Sequence, residues 1–280
     1  MTTRTVKRLS KSRPVIEGAG VHLHRAFGDP TEFDPFLLLD DFRSDVPKDY
    51  LSGFPWHPHR GMETITYVLA GTVEHGDSMG NRGVIGPGDV QWMTAGSGII
   101  HQEMPKGDEA GRMHGFQLWA NLPARMKMTP PRYQEVKAAD IPEISEIDGT
   151  RIRVISGSFE GIRGPVDSIA ADPFYFDLSL SAGREKKLAV DSVRKAFAYV
   201  IGGDGKFCGE QADNRSLILF GTGDEVIVKA GKDGVRFLLA SGEPIREPVA
   251  WQGPVVMNTE EELRQAFDEL EKGTFLKPRS

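Results

Sequence analysis

The sequence predicts an all-β protein made of two barrels of similar plan, with one short helix near the end. Three observations predict it. Short β-type runs alternate with glycine-rich turns along the whole chain, the two halves share a weak repeat, and a single stretch close to the C-terminus has helical periodicity. The 32 glycines and 18 prolines are spread out rather than gathered into a linker, as expected where turns punctuate short strands.

The strand candidates are Glu63 to Ala70, Arg151 to Ile155, Phe174 to Leu180, Ala196 to Ile201, Ser216 to Phe220 and Val235 to Ala240, with Phe36 to Leu39 as a further core strand. Turns are expected at 80–83 (GNRG), 86–89 (GPGD), 221–224 (GTGD) and 231–234 (GKDG). The repeat pairs Tyr67-Val-Leu-Ala-Gly71 with Tyr199-Val-Ile-Gly-Gly203. It also pairs the downstream Gly86-Pro-Gly-Asp89 with Gly221-Thr-Gly-Asp224. The helix is expected over Asn258 to Lys272. Thr259 is its N-cap, Glu262 completes a capping box, and Leu263, Phe267 and Leu270 form its apolar stripe.

A chain of 280 residues is long enough to bury one large core or two medium ones. Its net charge of -6 argues against a direct nucleic-acid binder. No apolar run is long enough to span a membrane. The basic start, MTTRTVKRLSKSRP, lacks the apolar segment of a signal peptide. The single cysteine, Cys208, rules out an intramolecular disulfide and fits a reducing cytoplasm.

All seven histidines fall at or before position 114, so a histidine-based site belongs to the first half. In Trp56-His57-Pro58-His59 the strand period of two puts both imidazoles on one face. The same parity places His101 beside Glu103 in Ile100-His101-Gln102-Glu103. Two such strands side by side offer three nitrogens and one carboxylate, a set that suits iron, manganese, nickel, copper or zinc. With four protein ligands, an octahedral ion keeps two positions for water, dioxygen or substrate. His22 and His24 form a competing pair and read better as solvated or edge-strand histidines. His75 lies in a turn-like stretch and is expected to be exposed. His114 is expected to be a hydrogen-bonded structural residue. Glu63, four residues after His59, shares its face if the strand is continuous, although Gly61 between them allows a bulge.

Phe54-Pro-Trp-His-Pro-His-Arg-Gly-Met-Glu63 and the long run from Gly86 to Pro105 resemble the two cupin motifs in the form carried by bacterial pirins. Gly115 to Leu122, Gly242 to Val249 and Gly253 to Thr259 fit the same family. The resemblance implies two stacked cupin barrels, double-stranded β-helix jelly rolls. Residues 1–135 would hold the metal, and residues 136–280 would form a metal-free barrel plus the C-terminal helix. It implies Fe(II), with Mn, Ni, Cu, Zn and Co as other options, bound by His57, His59, His101 and Glu103. Glu63, where ordinary cupins place a ligand, would stand behind the ligands. Two kinds of activity attach to the family. One is that of a quercetin 2,3-dioxygenase, which opens a flavonol with dioxygen, with Glu103 or Glu63 as the base. The other is that of a regulator that senses metal or redox state and binds a transcription factor or a metabolic enzyme. A monomer is expected in either case.

Overall fold

The computed structural model describes residues 1–167 and 170–278. Strands dominate, and the chain forms two compact units. One comprises Pro14–Ala138 and Ile245–Ser280 and carries every histidine. The other comprises Met1–Arg13 and Ala139–Pro244 and carries none.

The histidine-bearing unit is built from two antiparallel sheets. The larger has seven strands in the order Arg132–Val136, Val90–Thr94, Met62–Ala70, His114–Asn121, Phe36–Asp41, Val21–Phe27 and Arg13–Glu17. The smaller has four, in the order Phe54–His59, Ile99–Lys106, Thr72–Asp77 and Arg82–Ile85. Their inner faces meet in a core where Val73 and Ile85 of the small sheet pack with Val21, Leu23 and Val68 of the large one. In Ile99–Lys106 burial alternates strictly, with Ile99, His101, Glu103 and Pro105 turned inward. The pattern that hides an apolar side chain therefore also hides a histidine and a glutamate.

The histidine-free unit has a nine-stranded sheet whose centre pairs Lys195–Phe207 with Glu225–Gly242. The GKDG segment at 231–234, expected as a turn, lies inside this 18-residue strand. Lys195–Phe207 follows it on both sides of the segment, and bulges near Gly202 and Gly203 absorb the kink.

Two boundaries differ from the expected 1–135 and 136–280. The break falls between Ala138 and Ala139, and the terminal segments change units. Val6–Lys11 pairs with Ser216–Phe220, which holds the N-terminal strand in the histidine-free unit. The hairpin of Ala250–Gln252 and Val255–Met257 and the helix Glu260–Glu271 belong to the histidine-bearing unit. The helix forms where its sequence signals it, with Thr259 as N-cap and both halves of the capping box in place. Its face of Leu263 and Ala266 packs with Phe275 and against Ile100. No helix of the described residues is long and apolar enough to cross a membrane.

Candidate metal centre

Phe54–His59 and Ile99–Lys106 are antiparallel neighbours, with His57 directly opposite His101 and His59 opposite Ile99. The expected adjacency of the two motifs thus becomes a cross-strand pair with a third imidazole two residues along. One ring nitrogen from each of His57, His59 and His101 lies within 4.8 Å of the others, a grouping able to hold a metal ion. The ring centroids are 4.4 Å (His57–His101), 4.9 Å (His57–His59) and 5.0 Å (His59–His101) apart.

The protonation pattern fits a cation. His57 Nδ1 lies 2.8 Å from the Pro55 carbonyl oxygen and His59 Nδ1 lies 3.2 Å from that of Pro254. A carbonyl only accepts, so each Nδ1 carries the hydrogen and each Nε2 presents a lone pair. Those two Nε2 atoms are 3.1 Å apart. Two lone pairs at that separation repel unless a positive charge lies between them. Neither nitrogen of His101 has a hydrogen-bond partner, although the residue is 1% exposed. Burial, and then the neighbouring imidazoles, hold His59 and His101 well below the ordinary histidine pKa, so both are neutral and able to ligate.

Glu103 is buried on the same strand face as His101. Thr66 Oγ1 donates to its Oε1 at 3.0 Å and Gln117 Nε2 to its Oε2 at 2.8 Å. Gln117 is held in turn by Trp119 Nε1 at 2.8 Å, and Trp119 stands edge-on to His59 with centroids 5.1 Å apart. Each Glu103 oxygen keeps a further lone pair, so the carboxylate is oriented without being used up. It lies outside the tight grouping of the three imidazoles.

His57, His59 and Glu103 line a cleft of about 640 Å³, a size usual for small-molecule sites. Phe54, Trp56, Trp119 and Trp251 give it aromatic walls, with Leu23 and Leu38 among its other apolar residues. Its charged lining includes Arg25 and Asp40, a bidentate pair with both bonds at 2.8 Å. Burial pushes the Asp40 carboxyl up, against the opposing pull of Arg25.

A family model described as Pirin matches residues 20–120, and one described as the Pirin C-terminal cupin domain matches residues 175–276. The chain belongs to the pirin family. A pirin-like protein from Caulobacter vibrioides is 49% identical over 278 residues, covering 98% of this chain and 100% of the relative. Human pirin is 42% identical over 265 residues, covering 91% of this chain and 88% of its own. The crystal structure of a quercetin 2,3-dioxygenase from Acinetobacter baumannii matches with a TM-score of 0.91 and 31% identity over 98% of both chains.

Within this pirin fold the other sequence candidates fall as follows. Glu63 is not brought to the imidazoles. Thr66 reaches Glu103, so the even-numbered residues of Met62–Ala70 face the site. Glu63 faces the opposite side, where it accepts a hydrogen bond from Thr94 Oγ1 at 2.7 Å. The alternation that would have kept it with His59 is reset at Gly61, whose φ of +75° lets the chain pass from the small sheet to the large one. Burial pushes the Glu63 carboxyl up to about 7. His22 and His24 sit on the less buried face of their strand, whose alternate residues Val21 and Leu23 enter the core. His75, expected to be exposed, is buried in Thr72–Asp77 directly opposite Glu103, with its Nε2 2.9 Å from Glu135 Oε1. The glycines around it suggest a turn, but strand pairing on both sides carries the segment inside. His114 Nε2 lies 3.9 Å from Asp41 Oδ1.

Thr66, Gln117, Trp119, Trp251 and Pro254 were not singled out by the residue pattern. Gln117-Leu-Trp119 does carry a signal, since period-two spacing puts both polar groups on one face of a buried strand. Pro254 acts through its carbonyl, which no side-chain pattern encodes.

Proposed function

We propose that this chain is a metal-dependent dioxygenase that opens the central ring of a flavonol, with iron as its metal. The observation that carries this reading is a group of three imidazoles, two of which line a cleft walled by tryptophans together with an oriented carboxylate. The match to the Acinetobacter quercetin 2,3-dioxygenase supports it.

On this reading the three histidines and Glu103 hold the ion, and Glu103 doubles as the base. A divalent ion in that place would lower the pKa of a bound flavonol 3-hydroxyl and give dioxygen an adjacent position. Trp119 and Trp251, with ring centroids 6.2 Å apart, offer faces for a flat aromatic substrate. Glu103 takes the 3-hydroxyl proton at a carboxylate oxygen, while Thr66 and Gln117, one on each oxygen, keep the carboxylate aimed. The Arg25–Asp40 pair meets the outer hydroxyls of the substrate.

The test is incubation of iron-loaded protein with quercetin in air, followed by loss of its visible absorbance and release of carbon monoxide. Turnover above that of free ferrous ion is expected. Glu103→Gln is expected to abolish it and to weaken metal binding, since it replaces a charged ligand by a neutral amide. Rates no better than free ferrous ion across several flavonols would overturn the enzymatic reading and put regulation through a protein partner in its place.

A further inference from the structure

The strand that carries His57 and His59 is joined to the C-terminal segment at five points. His59 Nδ1 donates to the Pro254 carbonyl oxygen. The Arg60 backbone donates to Pro254 O at 3.4 Å and accepts from Val256 N at 3.0 Å. The Arg60 guanidinium, 2% exposed, donates to Ser97 O, to Glu269 Oε2 and to Phe275 O at 2.7 to 2.8 Å, and stacks 4.1 Å from the Phe275 ring. Gly61 lies so close to the segment that a Cβ there would be 1.9 Å from Val256 O. Lys127, buried, ties both strands together by donating to Gly61 O, Val256 O and Asn121 Oδ1 at 2.8 to 2.9 Å.

We propose that residues 250–276 are a latch on the metal centre: their docking sets how tightly the imidazoles hold an ion, and the ion in turn holds the segment down. The Pro254 carbonyl fixes the tautomer of His59, which must keep its hydrogen on Nδ1 to present Nε2. Arg60, next in the chain, couples that orientation to the helix and to Phe275. With the segment released, His59 is free to rotate and to place its hydrogen on Nε2, and the ligand set loses its geometry. Arg60 would keep only the Ser97 carbonyl of its three side-chain acceptors, and Lys127 would lose that of Val256, so partial release is unfavourable and the latch is two-state. Linkage makes the effect reciprocal: whatever factor docking adds to metal affinity, metal adds to docking.

The inference rests on the metal reading above, and the experiment separates the two. Metal-free protein is titrated with Co(II) by its visible absorption, and hydrogen exchange of the 250–276 amides is followed with and without Co(II). Exchange of these amides is expected to slow on saturation, while strands of the histidine-free unit are unaffected. Glu269→Gln and Phe275→Ala, neither of which touches the imidazoles, are expected to weaken Co(II) binding at least about 10-fold, the usual scale for a lost ligand-orienting contact. Protein that binds no Co(II) overturns the metal reading and the latch with it. Protein that binds Co(II) while the segment exchanges equally fast overturns the latch alone, as do variants that loosen the segment and leave affinity unchanged. Where a variant does not fold, the exchange measurement on the unaltered protein decides.

Discussion

The two barrels follow one strand plan, and aligning them by hydrogen bonds shows what became of the site in the second. Gly88 N donates to Val68 O in one barrel and Arg215 N to Val200 O in the other. Tyr67 faces Val90 as Tyr199 faces Leu217. Carried forward, Gly98 at φ +135° matches Gly223 at +143°. His101 then matches Val226 and Glu103 matches Val228. The opposite strand pairs Leu188 with Val226 as His57 pairs with His101, which leaves Val190 in the place of His59. The residues that hold Glu103, Thr66 and Gln117, become Ala198 and Leu239. All six replacements are buried in one apolar cluster. The frame thus accepts either a polar centre or a solid core. The choice is made as a set, because a buried carboxylate without its donors costs more than either complete alternative.

The sharpest way to break this comparison is to empty equivalent places in the two barrels. His57→Ala with His101→Ala is expected to reduce metal content from about one ion per chain to none by elemental analysis. Leu188→Ala with Val226→Ala should leave metal content intact and lower unfolding free energy by several kcal/mol in urea, since large-to-small core substitutions cost about 2–5 kcal/mol each for leucine and less for valine. Metal surviving in the histidine variant would mean that the grouped imidazoles are not the site.

Putting one polar residue back tests whether the set matters. Val228→Glu places a carboxylate where Ala198 and Leu239 offer no donor, and a destabilisation of about 3–5 kcal/mol is expected from an unpaired buried charge. Val228→Glu combined with Ala198→Thr and Leu239→Gln should recover part of that loss. Equal stability of the single and triple variants would show that donors are not what makes Glu103 tolerable.

The smallest effect concerns Glu63, buried on the far face of its strand. Burial raises its folded pKa to about 7, above the ordinary glutamate value of 4.5. The unfolded chain therefore releases this proton first, and the contribution to stability falls as pH rises from about 4.5 to about 7 and is flat beyond. Glu63→Gln, which still accepts from Thr94, should leave metal content unchanged. It should match the parent protein near pH 4.5 and exceed it by ~3 kcal/mol above pH 7. A stability difference independent of pH would place the carboxylate in a wetter setting than the fold gives it.

Much of this was legible from local pattern. Period two put His57 with His59 and His101 with Glu103, and the capping box at Thr259 and Glu262 fixed the start of the helix. Where long-range pairing decides, local pattern failed. The repeat was read one turn out of step: Gly86-x-Gly-Asp89 and Gly221-x-Gly-Asp224 look alike, but the second occupies the place of Gly98. Gly88 is matched by Arg215, which adopts φ +65° without being glycine. Glu63 was misplaced because alternation stops at Gly61, and His75 because glycines beside a paired strand look like a turn. The exchange of terminal segments leaves no local trace, since nothing near residue 6 or residue 255 names its partner across the sequence.

That exchange gives the protein a timetable. The histidines are synthesised by position 114, yet the carbonyl that orients His59 comes from residue 254 and the anchors of Arg60 from residues 269 and 275. A ribosome must reach residue 275 before the first barrel can be finished. Until then Arg60 and Lys127 lack part of their acceptors and His59 lacks the carbonyl that orients it. On the metal reading proposed above, loading is expected to follow synthesis of residues 254 to 275, and a chain stopped short of them is expected to lack a fully formed centre.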